Sequence, residues 1–152
     1  MKGMDPQREA QVWQRVRGEN SPPAAPPEAE LLRLMMEKWS NAATYQQLAR
    51  QFSGRDAATL QRLSREEMAH VNCLRGVYTL ITGNKPPIQK PAVPKETAAI
   101  ALRKCYGREI RTLSEYERRS GDPEYGAVYR KLAQQEQEHG RILLELIGNL
   151  QK

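Results

Sequence analysis

The sequence contains few of the residues that usually mark a cofactor site or a secreted protein. Its 152 residues include two cysteines, Cys73 and Cys105, which form no Cys-x-x-Cys motif. These two are too few for a disulfide framework, and the missing motif excludes an iron centre held by four cysteines and the common zinc modules. No apolar run approaches the ~20 residues of a membrane span, and the N-terminal stretch lacks the apolar region of a signal peptide. We therefore expect a protein of the reducing cytoplasm with no membrane partner.

The basic residues are spread along the chain. The formal net charge is +6, and the arginines are interleaved with glutamates instead of forming one basic block. This pattern indicates a solvated surface, so nucleic acid is the weakest of the partners that we consider.

Proline and glycine divide the chain into a short N-terminal segment and one domain. In residues 1–27, Asp5 and Pro6 predict the start of a short helix, and a proline-rich linker follows it. Residues 28–152 have the length and pattern of one helical domain. The predicted helices of this domain cover about 28–52, 56–82, 95–120 and 123–150.

The connection between the second and third helices is long and rich in proline. It has about twelve residues in extended geometry, so it can reach ~37 Å, which is also the length of a helix of about 25 residues. The sequence therefore predicts an all-α four-helix bundle made of two helical hairpins, with a crossover between them. Bundles with one such crossover belong to the ferritin-like class.

Charged residues interrupt the apolar stripe of every predicted helix near its middle. Burying these groups costs several kcal/mol each unless they are paired or bind a metal. Both histidines of the chain follow a glutamate in a Glu-x-x-His pattern, which puts each pair on one helical face. Glutamate oxygen and histidine nitrogen suit iron, manganese and zinc. The interior charged residues predicted by this pattern are Lys38, Glu67, His70, Glu109, Glu136 and His139.

Residues 28–150 resemble the ferritin-like superfamily, especially its rubrerythrin and bacterioferritin branches. The resemblance is carried by "EEMAH", "EQEHG" and "EIRTLSEY", and by the likeness of the two halves of the chain. It implies a di-iron site that oxidises ferrous iron or reduces peroxide with an external electron donor, and a homodimer is one assembly that we consider. The resemblance implies the metal ligands Glu67, His70, Glu109, Glu136 and His139, with Tyr45 and Tyr116 close to the metals.

One position departs from the family pattern. The first helix should carry a glutamate seven residues before Tyr45, but Lys38 stands there and Glu37 precedes it. Helical phase favours an inward Lys38, whereas Glu37 could supply the fourth carboxylate only by turning in from the flank. Three glutamates and one lysine balance a single divalent ion. The alternative to an iron oxidoreductase is therefore a non-catalytic helical module whose degenerate site binds one metal ion or none.

Overall fold

The computed structural model describes residues 27–150. These residues form four α-helices and no strand: α1 (Pro27–Ala49), α2 (Gly54–Thr82), α3 (Ala98–Arg118) and α4 (Gly126–Leu150). The predicted all-α bundle is therefore confirmed in outline. The predicted N-terminal helix and most of its linker lie outside the described residues. None of the four helices combines the length and apolarity that a membrane span requires.

The ends of α2 and α3 follow from local backbone chemistry. Gly83 ends α2 in the left-handed region at φ 77°, where its N–H donates to the carbonyl of Thr79. Glycine adopts this conformation without the steric cost that a Cβ would add. Thr97 caps α3 because its hydroxyl oxygen accepts from the backbone N–H of Ile100 at 3.3 Å. As a result α3 begins at Ala98, three residues later than the sequence pattern predicts.

The connection between α3 and α4 is longer than the sequence predicts. Asp122 does not cap a helix that starts at Pro123; its Oδ1 accepts from the backbone N–H groups of Glu124 and Tyr125, both at 2.8 Å. These bonds hold residues 122–125 in a turn, and α4 begins at Gly126. The predicted start at Pro123 is therefore wrong by three residues.

Two apolar clusters fill the two ends of the bundle and establish its topology. One cluster joins the beginnings of α1 and α4 to the ends of α2 and α3. The other joins the ends of α1 and α4 to the beginnings of α2 and α3. Since α2 ends in the first cluster and α3 begins in the second, residues 83–97 must run the length of the bundle. The predicted crossover between two antiparallel hairpins is confirmed.

A polar layer separates the two clusters, and each helix contributes to it. Its charged and imidazole side chains are no more than 1% exposed. A buried layer of this kind must be neutralised and hydrogen-bonded internally or by a bound ion. Its members are Lys38 from α1, Glu67 and His70 from α2, Glu109 from α3, and Glu136 and His139 from α4.

Candidate metal centre

Lys38 lies at the centre of the polar layer. Its Nζ is 3.2 Å from Glu67 Oε1, 2.9 Å from Glu109 Oε1 and 2.5 Å from Glu136 Oε2. The ammonium therefore donates to one carboxylate on each of the other three helices. The prediction that Lys38 faces the interior is confirmed.

Glu37 does not reach the polar layer. Its carboxylate lies on the flank of α1, where it pairs with Arg33 at 3.3 Å and with Arg111 at 3.5 Å. One residue along a helix is a rotation of about 100°, so an inward Lys38 turns Glu37 away. The structure therefore does not place Glu37 among the candidate ligands, and the alternative in which Glu37 turns in as the fourth carboxylate is wrong.

The three buried glutamates each have one satisfied and one orphaned oxygen. The satisfied oxygens accept from Lys38. Among residues 27–150, the opposite oxygens, Glu67 Oε2, Glu109 Oε2 and Glu136 Oε1, have no hydrogen-bond partner. Orphaned carboxylate oxygens in a dry interior are costly, and their presence is an observation that a bound cation would explain.

Both imidazoles are held from outside the polar layer. His70 Nε2 is 2.7 Å from Gln135 Oε1, and His139 Nε2 is 2.8 Å from Glu66 Oε1. Because both partner atoms are acceptors, each Nε2 carries the proton in its hydrogen bond. The rings stack with centroids 5.7 Å apart. This anchoring turns both Nδ1 atoms toward the glutamates, as in metal sites where a carboxylate or carbonyl orients a ligating histidine.

The Nδ1 atoms lie among the orphaned oxygens. His139 Nδ1 is 3.3 Å from Glu109 Oε2, and His70 Nδ1 is 3.1 Å from Glu136 Oε1. Neither Nδ1 has a hydrogen-bond partner within the described part of the chain. Four residues bring one ligand atom each within 4.8 Å of one another, and His70 lies beside this group: Glu67, Glu109, Glu136 and His139.

A second ring of side chains orients the carboxylates. Asn41 Nδ2 donates to Glu109 Oε1 at 2.5 Å, and the Thr112 hydroxyl donates to Glu136 Oε2 at 2.7 Å. Tyr45 donates a longer bond of 3.4 Å to Glu109 Oε1. The Tyr116 hydroxyl has no partner in residues 27–150, and its ring contacts His70 edge-on at 6.0 Å. The structure thus brings both predicted tyrosines next to the site.

Sequence reasoning missed four of these supporting residues. In the structure, Glu66 and Gln135 each bond to the histidine of the opposite Glu-x-x-His pair. The sequence signal that could have identified them is their position, since each immediately precedes the glutamate of such a pair. Asn41 and Thr112 occupy matching positions, one turn after Lys38 and Glu109. Their spacing was visible, but nothing in it indicated which carboxylate each side chain would contact.

Burial and the neighbouring charges shift the pKa values of the buried lysine and of two buried glutamates, and the direction differs from one group to another. Burial opposes the charge of Lys38, yet the carboxylates outweigh it and raise the pKa of Lys38 well above its usual value. Burial and the Glu109 charge raise the pKa of Glu67. Burial disfavours the Glu109 carboxylate too, but Lys38 holds the pKa of Glu109 well below its usual value.

The carboxylates around the His139 imidazole raise its pKa. Burial alone would lower its pKa, but contacts with Glu109 and Glu67 raise the pKa of His139 to about 11. A metal ion bound by His139 Nδ1 must therefore displace a proton, which makes its affinity dependent on pH.

The donor set fits a hard or borderline divalent metal. Carboxylate oxygens and an imidazole nitrogen are the ligands of iron, manganese and zinc, and the orphaned atoms of the site are of these types. In comparisons with known proteins, no family model, curated protein or solved structure matches the chain.

Proposed function

We propose that this chain is a ferritin-like protein that binds one divalent metal ion, with Lys38 in the place of a second. The observation that carries the proposal is a set of unpartnered atoms on Glu67, Glu109, Glu136 and His139. Each of these residues offers one ligand atom within 4.8 Å of the others. The glutamates and His139 would hold the ion, and His70 lies close enough to complete its coordination.

Charge balance supports one ion and opposes two. With Glu67 ionised and His139 neutral, three carboxylates and one ammonium have a formal charge of −3 + 1 = −2, which one divalent ion neutralises. A second divalent ion would leave an excess of +2 in a layer that solvent does not reach. Buried uncompensated charge of this size is strongly unfavourable.

The resemblance to ferritin-like proteins makes iron the first choice, with manganese and zinc as alternatives that the ligands also suit. A bound iron would supply one-electron redox chemistry. The ferroxidase or peroxidase activity implied by the resemblance uses two irons, so we expect it to be weak in the wild type and to require an external electron donor.

A second candidate function is a metal-free helical module in which the polar layer is structural. The observation in its favour is that the Lys38 ammonium donates a hydrogen bond to each of the three carboxylates, so an internal cation already occupies the layer. Elemental analysis separates the two candidates, because protein purified without added metal either contains a stoichiometric ion or does not.

We expect about one metal ion per wild-type chain, and about two per chain after Lys38→Glu, because that change removes the repulsion and adds a ligand. Metal titration of the two proteins side by side gives the stoichiometry. Glu37→Gln is the matched control, since it removes a neighbouring carboxylate outside the polar layer and should leave the stoichiometry unchanged. Two tightly bound ions in the wild type would contradict the proposal, as would metal that survives the double change His70→Ala, His139→Ala.

A further inference from the structure

We propose that Lys38 makes the site select divalent over trivalent ions, so that bound iron is held in the ferrous state. This inference rests on the proposed function and specifies the charge of the ion that the site accepts. It assigns to the chain a task opposite to iron oxidation, in which the ferric product must be stabilised.

The first argument comes from the contacts of Lys38. Its Nζ lies 2.5–3.2 Å from an oxygen of each of the three candidate carboxylate ligands. A hydrogen bond from an ammonium withdraws electron density from a carboxylate and weakens it as a donor. Weaker anionic donors reduce the affinity for a trivalent ion more than for a divalent one, because the electrostatic attraction between ion and ligand grows with the charge of the ion.

The second argument is the charge that remains in the layer. With three carboxylates and one ammonium, a divalent ion brings the formal sum to zero and a trivalent ion brings it to +1. Solvent cannot offset the excess, since the ligands and Lys38 are no more than 1% exposed.

The residues around the polar layer do little to offset the +1 excess charge of a bound trivalent ion. On the Lys38 side, the Arg108 guanidinium donates to Asn41 at 2.7 Å and adds further positive charge. On the histidine side, Glu66 accepts from His139 Nε2 at 2.8 Å, and its side chain is 41% exposed, so the high dielectric of water weakens its effect on the layer.

The expected preference for divalent over trivalent ions is large. At about 4 Å and an effective dielectric near 20, one unit of charge changes a binding constant by roughly a thousandfold. Removing the Lys38 charge should therefore raise the affinity for a trivalent ion, relative to a divalent ion, by at least about tenfold even if relaxation absorbs most of the effect.

The test measures the binding of two metal ions under anaerobic conditions, so that it does not depend on activity. The affinities for Co²⁺ and for Ga³⁺ are measured by competition with a chelator in the wild type and in Lys38→Met, which keeps length and removes charge. Lys38→Gln is the second neutral variant if the methionine protein does not fold. Arg111→Met is the matched control, since it removes a positive charge from the outer face of α3, where Arg111 pairs with Glu37.

We expect the ratio of Ga³⁺ to Co²⁺ affinity to rise at least about tenfold in the neutral Lys38 variants and to stay within about twofold in Arg111→Met. An unchanged ratio in a folded Lys38 variant that still binds Co²⁺ would overturn the inference and leave the proposed function intact. A wild type that binds neither probe would overturn both.

Discussion

Lys38 and Glu109 occupy equivalent positions in the two halves of the chain but carry opposite charges. Asn41 and Tyr45 follow Lys38 at the same spacing with which Thr112 and Tyr116 follow Glu109. A glutamate at position 38 would give the layer four carboxylates. With Lys38 there, the layer has three carboxylates and an internal counter-ion. At the scale of single residues, we propose that this difference limits the number of metal ions that the bundle holds.

Glu66 and Gln135 form a second matched pair, and each fixes the ring of a histidine on the other helix. We expect Glu66→Ala to weaken Co²⁺ binding by about 10–100-fold, because His139 loses the acceptor that directs its Nδ1 toward the site. Glu66→Gln keeps an acceptor and should retain most of the affinity.

A chelator-competition titration measures both Glu66 variants. Glu138→Ala serves as the control because Glu138 is an exposed glutamate of α4 that pairs with Arg141. If Glu66→Ala binds Co²⁺ as tightly as Glu138→Ala, the anchoring role assigned to Glu66 is wrong.

At the scale of elements, the turn between α3 and α4 shows how a local motif can be misread. The sequence "SGDPE" contains a helix-stopping glycine, a capping aspartate and a proline suited to a first helical turn. In the structure the aspartate organises a turn, and Gly126 then lies against the backbone of Ser120, just after the end of α3. This contact within the turn, which sequence patterns do not report, accompanies the start of α4 at Gly126.

Gly126 should be sensitive to substitution because a Cβ there would lie 2.5 Å from the backbone oxygen of Ser120. We expect Gly126→Ala to lower the free energy of unfolding by about 1–3 kcal/mol through this overlap. Gly76→Ala in the middle of α2 is the matched control, since an added Cβ there meets no atom within 4 Å.

The control should raise the free energy of unfolding by roughly 0.5–1 kcal/mol, as expected for glycine to alanine inside a helix. Urea unfolding followed by circular dichroism measures both changes. Equal effects of the two substitutions would show that the close approach at Gly126 does not constrain the turn.

At the scale of the whole molecule, the crossover of residues 83–97 sets the arrangement of the two hairpins. It has to span at least the length of α3, which is about 32 Å for its 21 residues. Deleting residues 89–93 leaves ten residues, which reach about 33–36 Å when fully extended. We expect this deletion to lower the unfolding midpoint sharply, because the remaining chain can join opposite ends only when it is almost fully extended, with no length left for the turns at either end.

Inserting five Gly/Ser residues at the same place is the control, and it should cost well under about 1 kcal/mol, because loop entropy grows slowly with length. Thermal unfolding of the two variants gives the comparison. A deletion variant as stable as the insertion variant would mean that the link does not need its length.

Much of the fold could be predicted because the helices and their limits depend on residues that are close together in the sequence. Apolar residues at helical spacing identify four helices, prolines and glycines mark their limits, and the length of the second link indicates a crossover. The polar layer was also predictable, since Glu67, His70, Glu109, Glu136 and His139 lie on otherwise apolar stripes. Helical phase was enough to place these side chains in the interior.

The sequence by itself determined which residue types meet in the middle of the bundle, because the face on which a residue lies depends only on its own helix. The tertiary structure decided their partners: that Lys38 contacts all three carboxylates, that Glu37 pairs outward with Arg33 and Arg111, and that Glu66 orients the histidine of another helix. These contacts depend on how the helices pack and rotate against one another. The periodicity of a single helix does not show how it packs against the other helices. The contacts between helices are therefore known only from the assembled bundle.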